Sequence, residues 1–541
     1  MASLAASLAK VGSNTLLSRV LGFIRDMIVA HVFGANAATD AFFVAFKIPN
    51  LMRRLFAEGA FSAALVPVLH DYRRNRGFDA LRRFVDDVAG TLGLVLLLIT
   101  VLGMLTAPLL VLAFAPGFAG DTEQHLLASD MLRLVMPYLL FIGLTAFAGG
   151  ILNTYERFGV PAFTPVLLNL TLIGCALWLA PRLEQPIMAL AWGVLIAGVA
   201  QLLFQLPFLA RLGLLPRPRF APRDSGVRRV GRLMLPALFG VSVAQLSLLI
   251  DTLLASFLTT GSISWLYYSD RLMEFPLGIL GVAIGTVIMP KLARQHAEDG
   301  RMDVGRAEGR AAGTADRQAA GRADGQSQGV GFSLTLDWGL RWVLLLGLPA
   351  AVGLFVLSGP MLAALFNSGA FGAHDVQMAE RSLMAYSLGL LAFMGIKVCV
   401  PGFYSRHDVK TPVRIAAIAM VVNLVLSLAL MFPLGHAGLA LATAVGALLN
   451  AGLLLRELIR QRIYRPDDGW RRLLAQTTAA SLLMGVVLWW ASGQTLAWTE
   501  LDQGTRLIRL GLSIGLGALL YAGALLAFGV RSRHLFDEAM T

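Results

Sequence analysis

The sequence predicts an all-α polytopic membrane protein of about fourteen transmembrane helices, with two six-helix lobes in parallel repeat plus two C-terminal helices. Three observations lead to this fold class. Of the 541 residues, 57% are hydrophobic and 14% are charged, and this composition is too apolar for a soluble surface. Apolar segments of about 20 residues recur, and each is long enough to cross a bilayer. Two short motifs also occur twice along the chain.

The apolar segments have fourteen predicted starting points, if about 20 residues make one crossing of the hydrocarbon core. The first segment contains Arg19 and Arg25 and lacks a small-residue cleavage site, so we expect no removable signal peptide. The predicted starts are Val11, Thr39, Phe84, Ser129, Pro161, Met188, Val230, Ser264, Ser333, Arg381, Val413, Gly438, Leu474 and Arg506.

Basic residues cluster in alternate connections, which predicts the orientation of the chain. The clusters at 73–83, 211–229 and 456–472 should be cytoplasmic by the positive-inside rule, which also accounts for the net charge of +12 without nucleic acid. Connections 117–127 and 492–505 contain no Lys or Arg and should face outward. An even number of crossings then places both termini in the cytoplasm. Three residues do not fit this pattern, namely Arg182, Arg506 and Arg509.

The repeated motifs indicate an internal duplication. Because six crossings are an even number, both copies enter the membrane in the same sense, and substrate sites in such transporters lie at the interface of the repeats. Chance similarity of apolar sequence is the alternative for each motif alone. We predict an N-lobe at 1–212, a C-lobe at 213–462 and an accessory pair at 463–541. The motifs are 106–118 with 358–371, and Tyr155-x-Arg157 with Tyr404-x-Arg406.

The segment 298–331, within the C-lobe, differs in composition from the rest of the chain. It is dense in Gly, Ala, Arg, Asp and Gln and lacks apolar periodicity. We therefore predict a disordered cytoplasmic loop. A tolerated insertion is favoured over a regulatory or partner-binding role.

Charged residues at membrane depth form the candidate functional site. An ionised group near the bilayer centre costs ~2.5 to 3.5 kcal/mol on insertion scales, so such groups mark polar cavities. We predict a cavity between the lobes that binds an anion, because guanidinium groups bind phosphate oxygens bidentately and stay protonated. The residues are Arg19, Arg25, Asp26, Asp40, Lys47, Arg53, Arg54 and Glu58, then Asp270, Arg271 and Glu274, with Asp251 and Lys397 isolated in their segments.

A purely structural network of ion pairs remains the alternative for these charges. Arg271 and Glu274 at i, i+3 would neutralise each other, as would Arg54 and Glu58 at i, i+4. No Gly-x-x-x-x-Gly-Lys-Ser/Thr run is present, so we expect no ATP hydrolysis. We predict no catalytic residue, no metal site and no cofactor. A coupling cation acting through Asp40, Asp251 or Glu58 stays open.

Five motifs carry a resemblance to a known family. They are SRVLGFIRD at 18–26, ATDAFFVAFKIPN at 38–50, RRLFAEGAF at 53–61, YSDRLMEFP at 268–276 and PGFYSR at 401–406. They resemble the MurJ (MviN) family of bacterial lipid II flippases. The resemblance runs from about residue 3 to the last segment, with 298–331 as its main departure. It implies the fold of the multidrug/oligosaccharidyl-lipid/polysaccharide exporter superfamily, in which the two C-terminal helices form a groove for the lipid tail.

The resemblance also implies the substrate and the site. The cavity would hold the pyrophosphate headgroup of lipid II, the undecaprenyl-linked peptidoglycan precursor, while the protein moves it from the cytoplasmic to the periplasmic leaflet of the inner membrane by alternating access. Membrane lipids and cell-wall synthesis proteins are the other implied partners. By matching positions the transport residues would be Arg19, Arg25, Asp26, Asp40, Arg53, Glu58 and Arg271. Charge patterning adds Lys47, Arg54, Asp270, Glu274, Asp251 and Lys397 as secondary candidates.

Two other functions compete with a lipid II flippase. A cation-coupled drug or oligosaccharide-lipid exporter of the same superfamily would be expected to have acidic and aromatic residues in its cavity, and the cationic excess argues against it. A membrane-embedded enzyme acting on lipid-linked sugars would need a catalytic acid or a metal cluster near the membrane surface. The sequence shows neither feature, so we predict that the protein is not an enzyme.

Overall fold

A computed structural model describes residues 2–54, 61–278, 288, 291–292, 317–467 and 469–530. These residues form helices joined by short connections, and the single extended pairing among them is a bridge between Ser368 and Phe371. The all-α prediction is therefore confirmed. We number the principal helices α1 to α20 in chain order.

Contacts divide the chain into two compact units. The first comprises Met1–Ser264 with Ser368–Gly372, and the second comprises Trp265–Asn367 with Ala373–Thr541. The first contains α1 Ala2–Phe33, α2 Ala37–Arg53, α3 Phe61–Asn75, α4 Phe78–Leu105, α5 Ala107–Phe114, α6 Thr122–Val135, α7 Tyr138–Thr154, α8 Gly159–Gly174, α9 Met188–Arg211 and α10 Ser225–Ala255. Next follow α11 Ser262–Pro276, α12 Arg317–Val356, α13 Ser358–Leu365, α14 Ala373–Ser387, α15 Leu390–Tyr404, α16 Lys410–Leu434, α17 His436–Arg460, α18 Trp470–Ser492, α19 Thr495–Thr499 and α20 Gln503–Ala527.

Nine helical segments within the described ranges are long and apolar enough to cross a membrane, or ten if the bent pair α14 and α15 counts as one crossing. The count of fourteen therefore stays a prediction. The predicted crossings that are not among these are the first, second, seventh and eighth, which correspond to α1, α2 with α3, α10 and α11. All four carry charged residues of the candidate site, α10 through Asp251, and these charges lower their hydropathy.

Helix boundaries support the internal duplication. Several helix boundaries of the first copy recur in the second at one common spacing of 251 residues. The matched points are the ends of α4 and α12 at Leu105 and Val356, the whole of α5 and α13, the starts of α6 and α14 at Thr122 and Ala373, and the starts of α8 and α16 at Gly159 and Lys410.

The second repeated motif lies at an equivalent turn but is out of register. Glu156 and His407 both adopt positive φ, at 60° and 62°. The residue after each donates its N–H to a carbonyl in the last helical turn, which is the Schellman arrangement. Glu156 and His407 are 251 residues apart, which is the separation of the matched helix boundaries. Tyr155 and Tyr404 are 249 residues apart, two fewer. The turn is therefore duplicated, but the two tyrosines do not occupy equivalent positions.

The disorder of 298–331 stays a prediction. Residues 298–316 lie outside the described residues. Helix α12 begins at Arg317, ahead of its apolar part, which begins at Gly331.

Arg506, which does not fit the charge pattern of the connections, is bound by backbone carbonyls. It is 7% exposed and donates to the carbonyls of Asn367 at 2.5 Å and Thr499 at 2.7 Å. Arg509 places its guanidinium 4.7 Å from the ring centroid of Trp498. These two arginines satisfy carbonyls and an aromatic face within the second unit, so their positions do not reflect membrane orientation.

Asp337 on α12 anchors the connection that leads to the C-terminal helices. Its side chain is 3% exposed and accepts hydrogen bonds from Tyr464 Oη at 2.6 Å, Trp470 Nε1 at 2.5 Å and Arg341 Nε at 2.5 Å. Burial, together with the bond to Asp337, raises the pKa of the Tyr464 phenol above its usual range. The phenol therefore remains a donor at physiological pH.

We expect Asp337→Ala to lower the free energy of unfolding by roughly 3 kcal/mol, because it leaves buried donors and the Arg341 charge without their acceptor. Asp130→Ala is the matched control. Asp130 and its partner Arg133 have side chains 58% and 45% exposed, so its loss should stay below about 1 kcal/mol. Unfolding of the purified protein in detergent measures both values, and equal losses would contradict an anchoring role for Asp337.

Candidate functional site

The charged residues that the sequence singles out fall into one group in each unit. Glu58 lies outside the described residues, so its predicted pair with Arg54 is not described either. The first unit contains Arg19, Arg25, Asp26, Asp40, Lys47, Arg53, Arg54 and Asp251, and the second contains Asp270, Arg271, Glu274 and Lys397.

Arg25 and Asp26 form a buried ion pair on α1, with exposed fractions of 7% and 2%. Arg25 donates to Asp26 Oδ1 from Nη2 at 2.6 Å and from Nε at 3.0 Å. Its Nη1 donates to Asn169 Oδ1 at 3.1 Å. Two partners on different helices therefore hold the guanidinium in one orientation.

Asn169 on α8 is a site residue that the search for charges missed. Its side chain is buried, and its Nδ2 donates to the carbonyl of Ser18 at 3.0 Å. One amide thus holds the backbone of α1 at one end and the Arg25 guanidinium at the other. An amide side chain within an apolar segment was the available signal, because polar groups at membrane depth are seldom without a role.

Arg19 lies on the same face of α1 as Asp26, two helical turns away. It is exposed. The neighbouring face of the helix carries the exposed apolar side chains Leu16, Val20 and Ile24, spaced four residues apart. This part of α1 therefore has an exposed row of apolar side chains, which lipid can cover, next to the exposed guanidinium group of Arg19.

Asp40 on α2 caps the N-terminus of α11. Its carboxylate, 2% exposed, accepts from Gly261 N–H at 2.7 Å, Ser264 N–H at 2.9 Å and Ser264 Oγ at 2.5 Å. A carboxylate in this position satisfies N–H groups that lack intrahelical partners and interacts favourably with the helix dipole. The geometry therefore gives Asp40 a capping role, which the sequence did not predict.

Lys47 and Arg53 of α2 have separate partners. Lys47 Nζ donates to Thr252 Oγ1, beside Asp251 near the end of α10. Asp40 and Lys47 thus both bind residues near the connection from α10 to α11, as expected for side chains seven residues apart on a helix. Arg53 Nε donates to Asn50 Oδ1 at 3.0 Å. Arg53 is half-buried.

Arg271 on α11 is held by a partly exposed set of partners. Nη1 donates to Glu274 Oε2 at 2.8 Å, and these two side chains are 35% and 44% exposed. Nη2 donates to Tyr267 Oη at 3.2 Å, and the guanidinium lies 5.1 Å from that ring centroid. Lys397 on α15 is exposed. The predicted i, i+3 pair is therefore confirmed, and so is local neutralisation of Arg271.

The candidate arginines differ in exposure. In the first unit Arg19 is exposed and Arg25 is buried and held by its partners, and in the second unit Arg271 is partly exposed. Pairing at Arg25 and Arg271 agrees with the structural alternative for these two contacts, and it does not exclude exchange of a carboxylate for a phosphate. Within the described ranges, no group of three or more His, Cys, Asp or Glu side chains is arranged to hold a metal ion.

Comparison with known proteins identifies the relatives of this chain. A family model described as lipid II flippase MurJ matches residues 29–503. The probable lipid II flippase MurJ of Haemophilus influenzae is 45% identical over 531 residues, which cover 97% of this chain and 100% of that protein. The lipid II flippase MurJ of Burkholderia cenocepacia is 42% identical over 539 residues, which cover 98% and 99% respectively.

Solved structures agree on the fold. A structure of lipid II flippase MurJ in an inward closed conformation matches with a TM-score of 0.74 at 23% identity and covers 98% of this chain and 99% of that one. An inward-facing multidrug transporter of the MATE family and MOP superfamily matches with a TM-score of 0.62 at 14% identity, covering 84% and 98%. The family model and the full-length relatives together show that the chain belongs to the lipid II flippase MurJ family.

Proposed function

We propose that this chain is a flippase that moves lipid II, the lipid-linked peptidoglycan precursor, from the cytoplasmic to the periplasmic leaflet by alternating access. The observation that carries the proposal is the 42% identity, over nearly its whole length, to a relative named lipid II flippase MurJ. Membership of this transporter family makes the chain a multi-pass protein of the bacterial inner membrane. The fold is shared with exporters of the MOP superfamily.

Accessible guanidinium groups support capture of the pyrophosphate. The Arg271–Glu274 pair is partly exposed, and ion pairs of this kind contribute at most about 1 kcal/mol. A phosphate can therefore replace Glu274 at little cost and accept two parallel N–H bonds from the guanidinium. Arg19, which is exposed, offers a second such group.

Arg25 also supports capture of the pyrophosphate, because its side chain is already ordered before a ligand binds. Asp26 and Asn169 already restrict its side chain, and an arginine side chain otherwise loses up to about 2 kcal/mol of rotamer entropy when it is ordered. A held guanidinium binds an anion without that loss. Asn169 is then a positioning residue, since it acts on the headgroup through Arg25.

The membrane potential supports the direction of transport. Moving negative charge out of a cell with a negative interior releases ~2.3 kcal/mol per charge for every 100 mV. A coupling cation that acts through Asp40, Asp251 or Glu58 is the alternative driving force. Both oxygens of Asp40 already accept hydrogen bonds, which argues against Asp40 as the site of such a cation.

The exposed basic connections support cytoplasmic termini. Arg73, Arg74 and Arg76 are exposed at the end of α3, and Arg217 and Arg223 are exposed between α9 and α10. The positive-inside rule places such connections in the cytoplasm. With an even number of crossings, the two termini then lie on that same side.

A cation-coupled drug or oligosaccharide-lipid exporter is the second candidate, favoured by the fold shared with the MATE transporter. Export of a cationic dye that depends on Asp40 or Asp251 would support it.

Depletion of the protein in its own cells tests the flippase directly. Lipid-linked precursor should accumulate in the cytoplasmic leaflet, because its headgroup cannot cross the hydrocarbon core unaided. A leaflet-specific label on the precursor measures this distribution. In a strain with no second flippase, precursor that still reaches the outer face would refute the proposal.

We expect Arg271→Ala to abolish transport, because it removes a side chain that binds the headgroup under this proposal while Tyr267 and Glu274 stay in place. Expression should stay normal, since the pair with Glu274 is partly exposed. Arg133→Ala is the control, because it also breaks a partly exposed i, i+3 pair. The leaflet assay in complemented cells gives the result, and loss of folding in Arg271→Ala would favour a structural role.

Asn169→Ala separates positioning from folding. We expect it to weaken lipid II binding roughly tenfold, because removing one orienting hydrogen bond of about 1 to 2 kcal/mol frees the Arg25 side chain. Asn169→Asp, which keeps an acceptor for Arg25, should restore part of the affinity. Binding of lipid II to the purified protein measures both variants. Identical affinities for Ala and Asp would argue against an orienting contact.

A further inference from the structure

The connection between α9 and α10, residues 214–224, is fixed along α4; we call it the basic strap. Arg217 N–H donates to Asp86 Oδ1 at 2.7 Å, Arg219 N–H to the Asp86 carbonyl at 3.0 Å and Ala221 N–H to Thr91 Oγ1 at 3.2 Å. A Cβ at Gly90 would collide with the Arg219 carbonyl. The strap backbone therefore lies directly against the helix, and this contact requires a glycine.

The second unit has an equivalent aspartate that holds a connection against a helix. Asp337 in α12 occupies the position that Asp86 occupies in α4, by the spacing that relates the two copies. Both aspartates hold the connection that follows the sixth helix of the repeat. In the second unit an acidic residue of that connection, Asp467, pairs with Arg341 at 2.7 Å. The two connections thus share an anchor and differ in charge.

The outward side of the basic strap combines cations with apolar groups. Arg217, Arg219 and Arg223 are exposed, and Arg219 is 64% exposed with its nearest carboxylate 3.8 Å away. Phe220 is 64% exposed and Leu215 is 45% exposed. This pairing of basic and apolar side chains is typical of segments that bind an anionic membrane surface.

The contacts with α4 lie close to the apolar part of this helix, which is long and apolar enough to cross a membrane. Beyond Phe78 in its first turn, the first exposed apolar residues of α4 are Leu94 and Val95. At 1.5 Å per residue, the strap meets α4 about 5 to 12 Å before Leu94. A headgroup layer of roughly 5 to 7 Å borders each side of the hydrocarbon core, so the near end of the strap would fall in that layer if the lipid-facing surface begins at Leu94. We therefore expect the long guanidinium side chains to reach the lipid phosphates.

We propose that the basic strap is a binding site for anionic phospholipid headgroups of the adjacent leaflet. Arg217, Arg219 and Arg223 bind the phosphates, and Phe220 enters the boundary between headgroups and acyl chains. The backbone anchors on Asp86 and Thr91 keep these side chains outward. This site is separate from the transport residues and goes beyond the proposed flippase activity.

Phospholipid binding by the purified full chain in detergent tests the proposal. Native mass spectrometry during titration with phosphatidylglycerol or phosphatidylcholine counts the bound lipids. The variant Arg217→Gln, Arg219→Gln, Arg223→Gln removes three charges but keeps the anchors, which use main-chain N–H groups. We expect its phosphatidylglycerol affinity to fall roughly tenfold or more, because each arginine near an anionic surface adds to binding. Phosphatidylcholine binding should not change.

The second unit supplies the matched control. Arg456→Gln, Arg462→Gln, Arg465→Gln removes three exposed charges in the last turns of α17 and in the connection that follows it. It should lower phosphatidylglycerol affinity much less than the strap variant, because Asp467 and Asp468 offset the arginines of that connection. Equal losses in both triple variants, or no loss in the strap variant, would overturn the proposal. So would displacement of phosphatidylglycerol by millimolar inorganic phosphate, which would indicate a free-anion site.

Two further measurements distinguish a loss of lipid binding from a folding defect. Thermal unfolding should be the same for both triple variants, and Phe220→Ser, which keeps every charge, should weaken phosphatidylglycerol binding severalfold. Unchanged binding in Phe220→Ser would remove the membrane-boundary part of the proposal. The titration contains no lipid II, so its failure would leave the proposed flippase function intact.

Discussion

The constraint on which the rest of this structure depends is that ionised groups at membrane depth need partners. An unpaired charge near the bilayer centre costs several kcal/mol, and helices α1 and α2 carry many such charges. Arg25 is held by Asp26 and Asn169, and Asp40 accepts three hydrogen bonds at the start of α11. These helices depend on specific polar contacts for their place in the unit, whereas the neighbouring apolar helices are stabilised by lipid and by packing.

Local periodicity is what the sequence predicts well. Hydropathy located the long apolar helices, and the i, i+3 spacing of Arg271 and Glu274 predicted their ion pair, which is confirmed at 2.8 Å. The Asp40 cap was not predictable in this way, because its partners lie more than 200 residues along the chain and their backbone donors have no sequence signal. Asn169 escaped the search for charges for a related reason, since its amide is polar but uncharged.

Duplication explains why some features recur and others do not. The helix boundaries, the turn at Glu156 and His407, and the buried aspartates Asp86 and Asp337 all keep one spacing. These features set backbone geometry, which both copies need in order to fold. Side chains on the outer surface of the connections are free of that requirement, and there the copies diverge. The first copy has exposed arginines at 217, 219 and 223, whereas the second has two, Arg462 and Arg465, together with an aspartate, Asp467, that pairs with Arg341. A shared scaffold with divergent surfaces is expected when one copy acquires contacts that the other lacks.

Pairing of the site arginines agrees with transport as well as with stability. A carrier must release what it binds, so an empty site with bare, dehydrated guanidinium groups would be unstable when empty and too strongly attractive when filled. Asp26 and Glu274 each occupy an arginine of their own unit, which lowers the free energy of that guanidinium when no ligand is bound. Under the proposed function, headgroup binding would exchange one anionic partner for another at each arginine, and release would reverse that exchange. The buried pair at Arg25 resists exchange more than the partly exposed pair at Arg271, because its carboxylate cannot return to water. The proposal therefore assigns first contact with the phosphates to Arg271 and their orientation to Arg25.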